Sequence, residues 1–146
     1  MNSDTDYVLI YKAEAGLCTA TLGRNMGKNK SMGLDPVECS DRDIFHELFH
    51  ILGFLHEHQR GDRDNYVTIN WQNIPINYNS QFVALSKSKN LGMPYDATSI
   101  THYTSDQGAS PIGESSIISK VVYMNLPRAP LGFEKLIFLK NSQKIQ

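Results

Sequence analysis

His46-Glu47-Leu48-Phe49-His50-Ile51-Leu52-Gly53-Phe54-Leu55-His56 decides how the rest of the chain is read. On a helix the imidazoles at 46 and 50 lie one turn apart on the same face, where both can reach a single metal ion. Gly53 lets the chain leave the helix sharply through a left-handed turn, so His56 can approach the same ion from another direction. Three neutral imidazoles fill three corners of a tetrahedron and leave the fourth for water, the arrangement of a catalytic rather than a closed structural zinc site. Glu47 is next to a ligand but points toward that water. Its carboxylate can take a proton from the water and later hand it to a leaving amine. A lone histidine pair of this spacing arises by accident on buried helices. Three buried imidazoles without partners are costly, though, and a helix that merely filled a core would use leucine. The spacing therefore predicts a Zn2+ site made by His46, His50 and His56, with Glu47 as general base. A structural zinc domain is the poorer reading, because the site has only three strong ligands and a base.

The helix carrying this stretch has a start and a stop. Ser40 reads as the N-cap with Asp43 three residues on, an acidic variant of the capping box that also complements the helix dipole. Ile44, Phe45, Leu48, Phe49, Ile51 and Leu52 are apolar on more than one side, which predicts a centrally buried helix. Upstream, Tyr7 to Tyr11 reads as a buried strand, Cys18 to Leu22 as a second strand closed by Gly23, and Ser31 to Leu34 as a short third stopped by Asp35-Pro36. Residues 24–31, rich in glycine, asparagine and lysine, suit a turn. Downstream, Val67, Ile69 and Trp71 alternate as a strand does, and Phe133, Leu136, Ile137 and Lys140 have helical spacing. Strands first and helices later indicate α+β rather than a wound parallel sheet.

Composition bounds the rest. The 146 residues make one domain's worth of chain, 40% hydrophobic and 20% charged, an ordinary globular mixture. A net charge of −1, with Lys28 and Lys30 as the densest basic patch, leaves no footprint for nucleic acid or an anionic membrane. No apolar run approaches the ~20 residues needed to cross a bilayer. Met1 to Asp6 is polar and acidic, without the apolar stretch of a signal peptide. The expectation is a processed or excerpted form, or a route other than that signal. Cys18 and Cys39 leave the redox compartment open on count alone. Asn29-Lys30-Ser31 is a glycosylation sequon of a kind that often arises by chance.

The extended pattern HExxHxxGxxH belongs to the metzincin peptidases, and the residues after it narrow the choice. His56-Glu57-His58-Gln59-Arg60-Gly61-Asp62-Arg63-Asp64-Asn65-Tyr66-Val67 resembles the astacin family, whose signature reads HExxHxxGFxHExxRxDRDxYV. Phe54, Glu57, Arg60, Asp62, Arg63, Asp64, Tyr66 and Val67 match, as do Ile69, Asn73 and Ile74. Upstream, Thr5-Asp6-Tyr7-Val8, Gly16-Leu17-Cys18, Gly23-Arg24 and Cys39 are similar to the family's lead-in, so the resemblance runs from about Thr5 to Tyr103.

That resemblance implies a zincin-like α+β fold with a central active-site helix, a partial upper β-sheet and an irregular C-terminal subdomain, over a single domain spanning 1–146. It implies a zinc metalloendopeptidase acting on protein or peptide substrates, with no nucleic-acid or membrane partner and the oligomeric state left open. Secretion and a Cys18–Cys39 disulfide are implied with it. So is a role for Tyr103 as a further zinc ligand that swings away when substrate binds and then stabilises the oxyanion. Arg60, Asp62 and Arg63 are expected to fix the loop after the helix by charge-assisted hydrogen bonds.

Two departures stand out. Thr101 occupies the position of the family's Met-turn methionine, whose thioether forms an apolar floor beneath the histidines. A threonine there brings a hydroxyl that must find a partner, and predicts a looser site. The family's catalytic domain also begins several tens of residues before anything corresponding to Thr5, with sheet strands, a helix and one cysteine of a second disulfide. The family's trimmed N-terminus lies near the glutamate here numbered Glu57. These departures carry the alternative of a truncated zinc-binding module that holds peptides or partners without cleaving them.

Overall fold

A computed structural model of the chain describes residues 7–23, 30–85, 92–111 and 113–121. The helical spacing at Phe133 to Lys140, the sequon at Asn29 and most of the turn over 24–31 lie outside the described residues. The chain divides into two compact units, one ending at Leu55 and the other starting at His56.

Among the described residues, the first unit holds three strands and a helix. Strands β1 (Val8–Lys12), β2 (Cys18–Ala20) and β3 (Lys30–Leu34) form a sheet in the order β1-β3-β2. Strand β1 runs parallel to β3 with Ile10 opposite Met32, and β2 runs antiparallel to it with Thr19 opposite Gly33. Gly33 is small for a reason: a Cβ there would lie 2.8 Å from the Tyr11 ring, which covers the glycine across the strand pair. Asp35 ends β3 and ties down the turn before β2, accepting from the Gly16 N–H at 2.8 Å and the Val37 N–H at 3.0 Å. Cys18 and Cys39 are disulfide-bonded, joining β2 to the lead-in of the helix. In a chain-entropy account a loop of this length contributes on the order of 3 kcal/mol.

Burial of the first strand is corrected by the structure. Every residue of β1 is exposed, Leu9 by 53% and Ile10 by 60%. A short apolar run specifies a strand but not its place in the sheet, and among the described residues β1 is an edge strand paired only with β3.

Helix α1 (Asp41–Ile51) opens on the expected box: the Ser40 N–H donates to the Asp43 carboxylate at 2.9 Å, and the Asp43 N–H donates back to Ser40 Oγ at 3.4 Å. It packs on β2 and β3 and buries Glu47, Phe49, His50 and Ile51. Leu48 and Leu52 each stay 37% exposed, so one stripe remains open where the apolar pattern suggested burial on more than one side.

The second unit is irregular, as short runs of 3-10 helix connect its parts. Strands β4 (Val67–Ile69) and β5 (Ile117–Ser119) pair antiparallel, with Ile69 opposite Ile117. Its core gathers Val67, Ile69, Ile74, Phe82, Tyr95, Ala97, Tyr103 and Ile117. No helix among the described residues is long and apolar enough to cross a membrane.

Candidate metal centre

The helix does for His46 and His50 what the spacing requires. Their Nε2 atoms face each other at 2.9 Å, with the rings edge to face at 83°. One ring nitrogen from each of His46, His50 and His56 lies within 4.8 Å of the others. A tetrahedral zinc with bonds of about 2.0–2.1 Å spaces its donors roughly 3.4 Å apart, a span these separations bracket.

The tautomers suit a metal as well. Backbone carbonyls only accept, so the 2.7 Å contact between His50 Nδ1 and the Phe54 carbonyl places the hydrogen on Nδ1 and leaves Nε2 with the lone pair that a metal needs. His56 Nδ1 faces Gln59 Oε1 at 3.3 Å, with the same consequence for its Nε2. Burial lowers the His50 pKa, against the opposing hydrogen bond to Phe54, and so favours the neutral form that ligation requires. The donor set therefore fits zinc.

Gly53, at φ 99°, makes the turn between the helical ligands and His56, and its N–H donates to the His50 carbonyl at 2.9 Å. Glu47 is 7% exposed. Burial first, then the Asp43 carboxylate, pushes its pKa up to about 7, near the value that suits a general base at neutral pH. A divalent cation nearby draws it down again.

After His56 the chain is held by charge-assisted bonds, as expected. The Arg60 guanidinium grips both Asp62 oxygens at 2.9 and 2.8 Å, Glu57 Oε1 at 2.9 Å, and the Met93 and Pro94 carbonyls at 3.0 Å each. Arg63 is buried, donating to the Phe82 carbonyl at 2.7 Å, the His58 carbonyl at 3.1 Å and Asp64 at 2.7 Å. Glu57 Oε1 also accepts the Asp96 N–H at 2.9 Å, and the Glu57 N–H donates to the Thr101 carbonyl at 3.3 Å.

Tyr103 is 7% exposed, with its ring 4.8 Å from that of His56 at 64°. It also stacks on His58, which is fully buried, at 4.0 Å and 28°, and meets the Phe82 ring edge to face at 5.6 Å. His58 Nε2 donates to the Gln81 carbonyl at 2.9 Å. Thr101 is 3% exposed, and its hydroxyl lies 3.1 Å from that of Ser99, which supplies the partner the sequence called for. The sequence assigns no role to His58, Tyr95 or His102. Their contacts depend on irregular backbone, and no periodicity announces them.

Comparison with known proteins adds to this geometry. The family model described as Astacin, a peptidase family, matches residues 1–128. The chain is 42% identical to zinc metalloproteinase nas-7 of Caenorhabditis elegans over 104 residues, covering 70% of this chain and 26% of that protein. It is 37% identical to High choriolytic enzyme 2 of Oryzias latipes over 132 residues, 87% of this chain and 44% of that protein. The solved structure of High choriolytic enzyme 1, a hatching enzyme zinc-protease from the same fish, matches with a TM-score of 0.79 at 31% identity, covering 98% of this chain and 72% of that one. The chain thus spans 26% to 44% of the length of these two curated relatives.

Proposed function

Because the chain belongs to the astacin family of peptidases, we propose that it is a zinc-dependent endopeptidase that hydrolyses peptide bonds in proteins. Residues 1–146 are read as one peptidase domain of that family. The observation that carries the proposal is the cluster of His46, His50 and His56, with the carboxylate of Glu47 on the helix that bears the first two.

His46, His50 and His56 would hold the ion. Bound there, zinc would supply Lewis acidity toward the scissile carbonyl and toward water. Glu47 accepts the proton of the attacking water and passes it to the departing amine, from a buried position between two of the ligands on α1. Tyr103 donates its phenolic hydrogen to the oxygen that gains charge in the tetrahedral intermediate. Phe54 anchors the His50 ring through Nδ1 and so keeps Nε2 aimed. Secretion accords with the disulfide, which persists in oxidising compartments.

A second reading, a zinc-binding module that holds peptides without cutting them, rests on Thr101 in place of the family's methionine. One assay separates the two: turnover of a denatured protein by zinc-loaded chain, with and without chelator. Cleavage that stops on chelation and returns with zinc is expected. No cleavage at full zinc occupancy would remove the peptidase reading and leave the second.

A further inference from the structure

His102 and Tyr95 are buried polar side chains that the proposed chemistry does not use, being 1% and 9% exposed. The His102 Nδ1 atom lies 2.6 Å from the carbonyl oxygen of Tyr103, and the Tyr95 hydroxyl lies 2.6 Å from His102 Nε2. The carbonyl can only accept, so Nδ1 carries the hydrogen. Nε2 is then the acceptor, and Tyr95 donates to it. Burial raises the Tyr95 pKa, so the phenol keeps that hydrogen across the working pH range.

Tyr95 is itself held from two sides. Its ring lies flat on Tyr66 at 4.6 Å and 6°, and the Arg60 guanidinium carbon sits 5.4 Å from its centroid. Arg60 in turn grips Glu57, the residue after His56, and the carbonyls of Met93 and Pro94 just before Tyr95. A continuous set of contacts therefore runs from the segment bearing the third histidine, through Arg60 and Tyr95, to the His102 ring and the backbone of Tyr103.

We propose that His102, oriented by the Tyr95 hydroxyl, is the positioning residue for Tyr103: it fixes the carbonyl of Tyr103 and with it the direction of the phenol. This rests on the reading of Tyr103 as the oxyanion donor. Two groups that merely filled this core could be apolar at little cost. Here the polar atoms are matched to one another, and the chain of bonds ends on the backbone of the reactive residue. A hydroxyl that acts only on developing charge must be aimed before the reaction starts, and a misplacement of ~1 Å costs up to about 10²-fold in rate.

Tyr95→Phe removes one oxygen and keeps the stack on Tyr66, so the variant should fold. Its kcat is expected to fall about tenfold with KM unchanged, because the hydroxyl of Tyr103 contributes in the transition state and not in substrate binding. In a Tyr103→Phe background the same substitution should cost nothing further, since there is no hydroxyl left to aim. An equal loss in both backgrounds would make the pair merely structural and overturn the proposal. A readout independent of turnover is 19F NMR of metal-free, fluorotyrosine-labelled protein, which has seven tyrosines. The Tyr103 resonance, identified by its loss in Tyr103→Phe, should shift and broaden in Tyr95→Phe. An unchanged resonance overturns the positioning role. If the wild type shows no turnover at full zinc, the peptidase reading fails, and this resonance alone still decides whether Tyr95 and His102 hold Tyr103.

Discussion

Gly23 and Gly53 meet backbone to backbone: a Cβ on Gly23 would lie 3.3 Å from the Gly53 Cα, and one on Gly53 would lie 3.6 Å from the Gly23 Cα. Both have positive φ, 61° and 99°. Both N–H groups donate to the His50 carbonyl, at 2.7 and 2.9 Å. The end of the ligand helix is thus capped by the segment that follows β2 as well as by its own turn.

Gly53→Ala should therefore cost about 1–2 kcal/mol of stability, from backbone strain at a left-handed position. It should also weaken zinc binding, because the same turn delivers His56. Asparagine, which tolerates that backbone better, should lose less on both counts. Urea denaturation and metal titration of the two variants check this, and an alanine variant equal to wild type in both would show that the turn does not set the ligand geometry.

Thr101→Met restores the residue the family carries at that position. From sequence alone, methionine is expected to fill space beneath the histidines and stabilise by about 1 kcal/mol, the alternative being that neighbours have closed around the threonine and methionine overpacks the site. The structure favours the alternative. Thr101 is buried, its hydroxyl is matched to Ser99, and its N–H donates to Ser99 Oγ at 3.2 Å. A longer side chain there must push its neighbours apart, at about 1–3 kcal/mol. A lower thermal midpoint for Thr101→Met, with and without zinc, is the expected result; a higher one would mean that space under the site is open.

The pH dependence of the metal-free protein follows from Glu47. Its carboxyl titrates near 4.5 ordinarily and at about 7 in the fold, so between those values the folded state binds the extra proton. Stability from this group is therefore lost as pH rises from about 4.5 to 7 and stays lost above it. Glu57, also raised by burial, adds in the same direction, whereas His50, lowered by burial, opposes it at the acid end. Glu47→Gln isolates the first contribution. In chelator the variant should match wild type at pH 4 and exceed it at pH 8 by up to about 2 kcal/mol, once screening by solvent is allowed for. The same difference at both pH values would contradict the assignment.

What was legible in the sequence was local. The histidine spacing, the Ser40–Asp43 box and the Gly53 turn each act within a few residues of one backbone segment, and all are in place. The strands at Cys18 and Ser31 were legible from apolar and branched residues bounded by glycine and proline. Burial of β1 was not, because an apolar run reads the same at an edge as in the middle of a sheet. Nor was the Tyr95–His102 pair, which depends on irregular backbone with no period to follow. Thr101 shows the same limit on a smaller scale: the sequence announces a hydroxyl that needs a partner, and only the structure says that Ser99 supplies it.

The function proposed for this chain depends on Glu47 moving protons at a zinc ion held by His46, His50 and His56. Replacing Glu47 by glutamine keeps the size of the side chain and removes its ability to accept a proton. Zinc content and turnover of a denatured protein substrate should be measured side by side for wild type and Glu47→Gln. One zinc per chain is expected in both, with a fall in kcat of about 10²–10⁴ in the variant. Turnover equal to wild type at full zinc occupancy would contradict that role for Glu47.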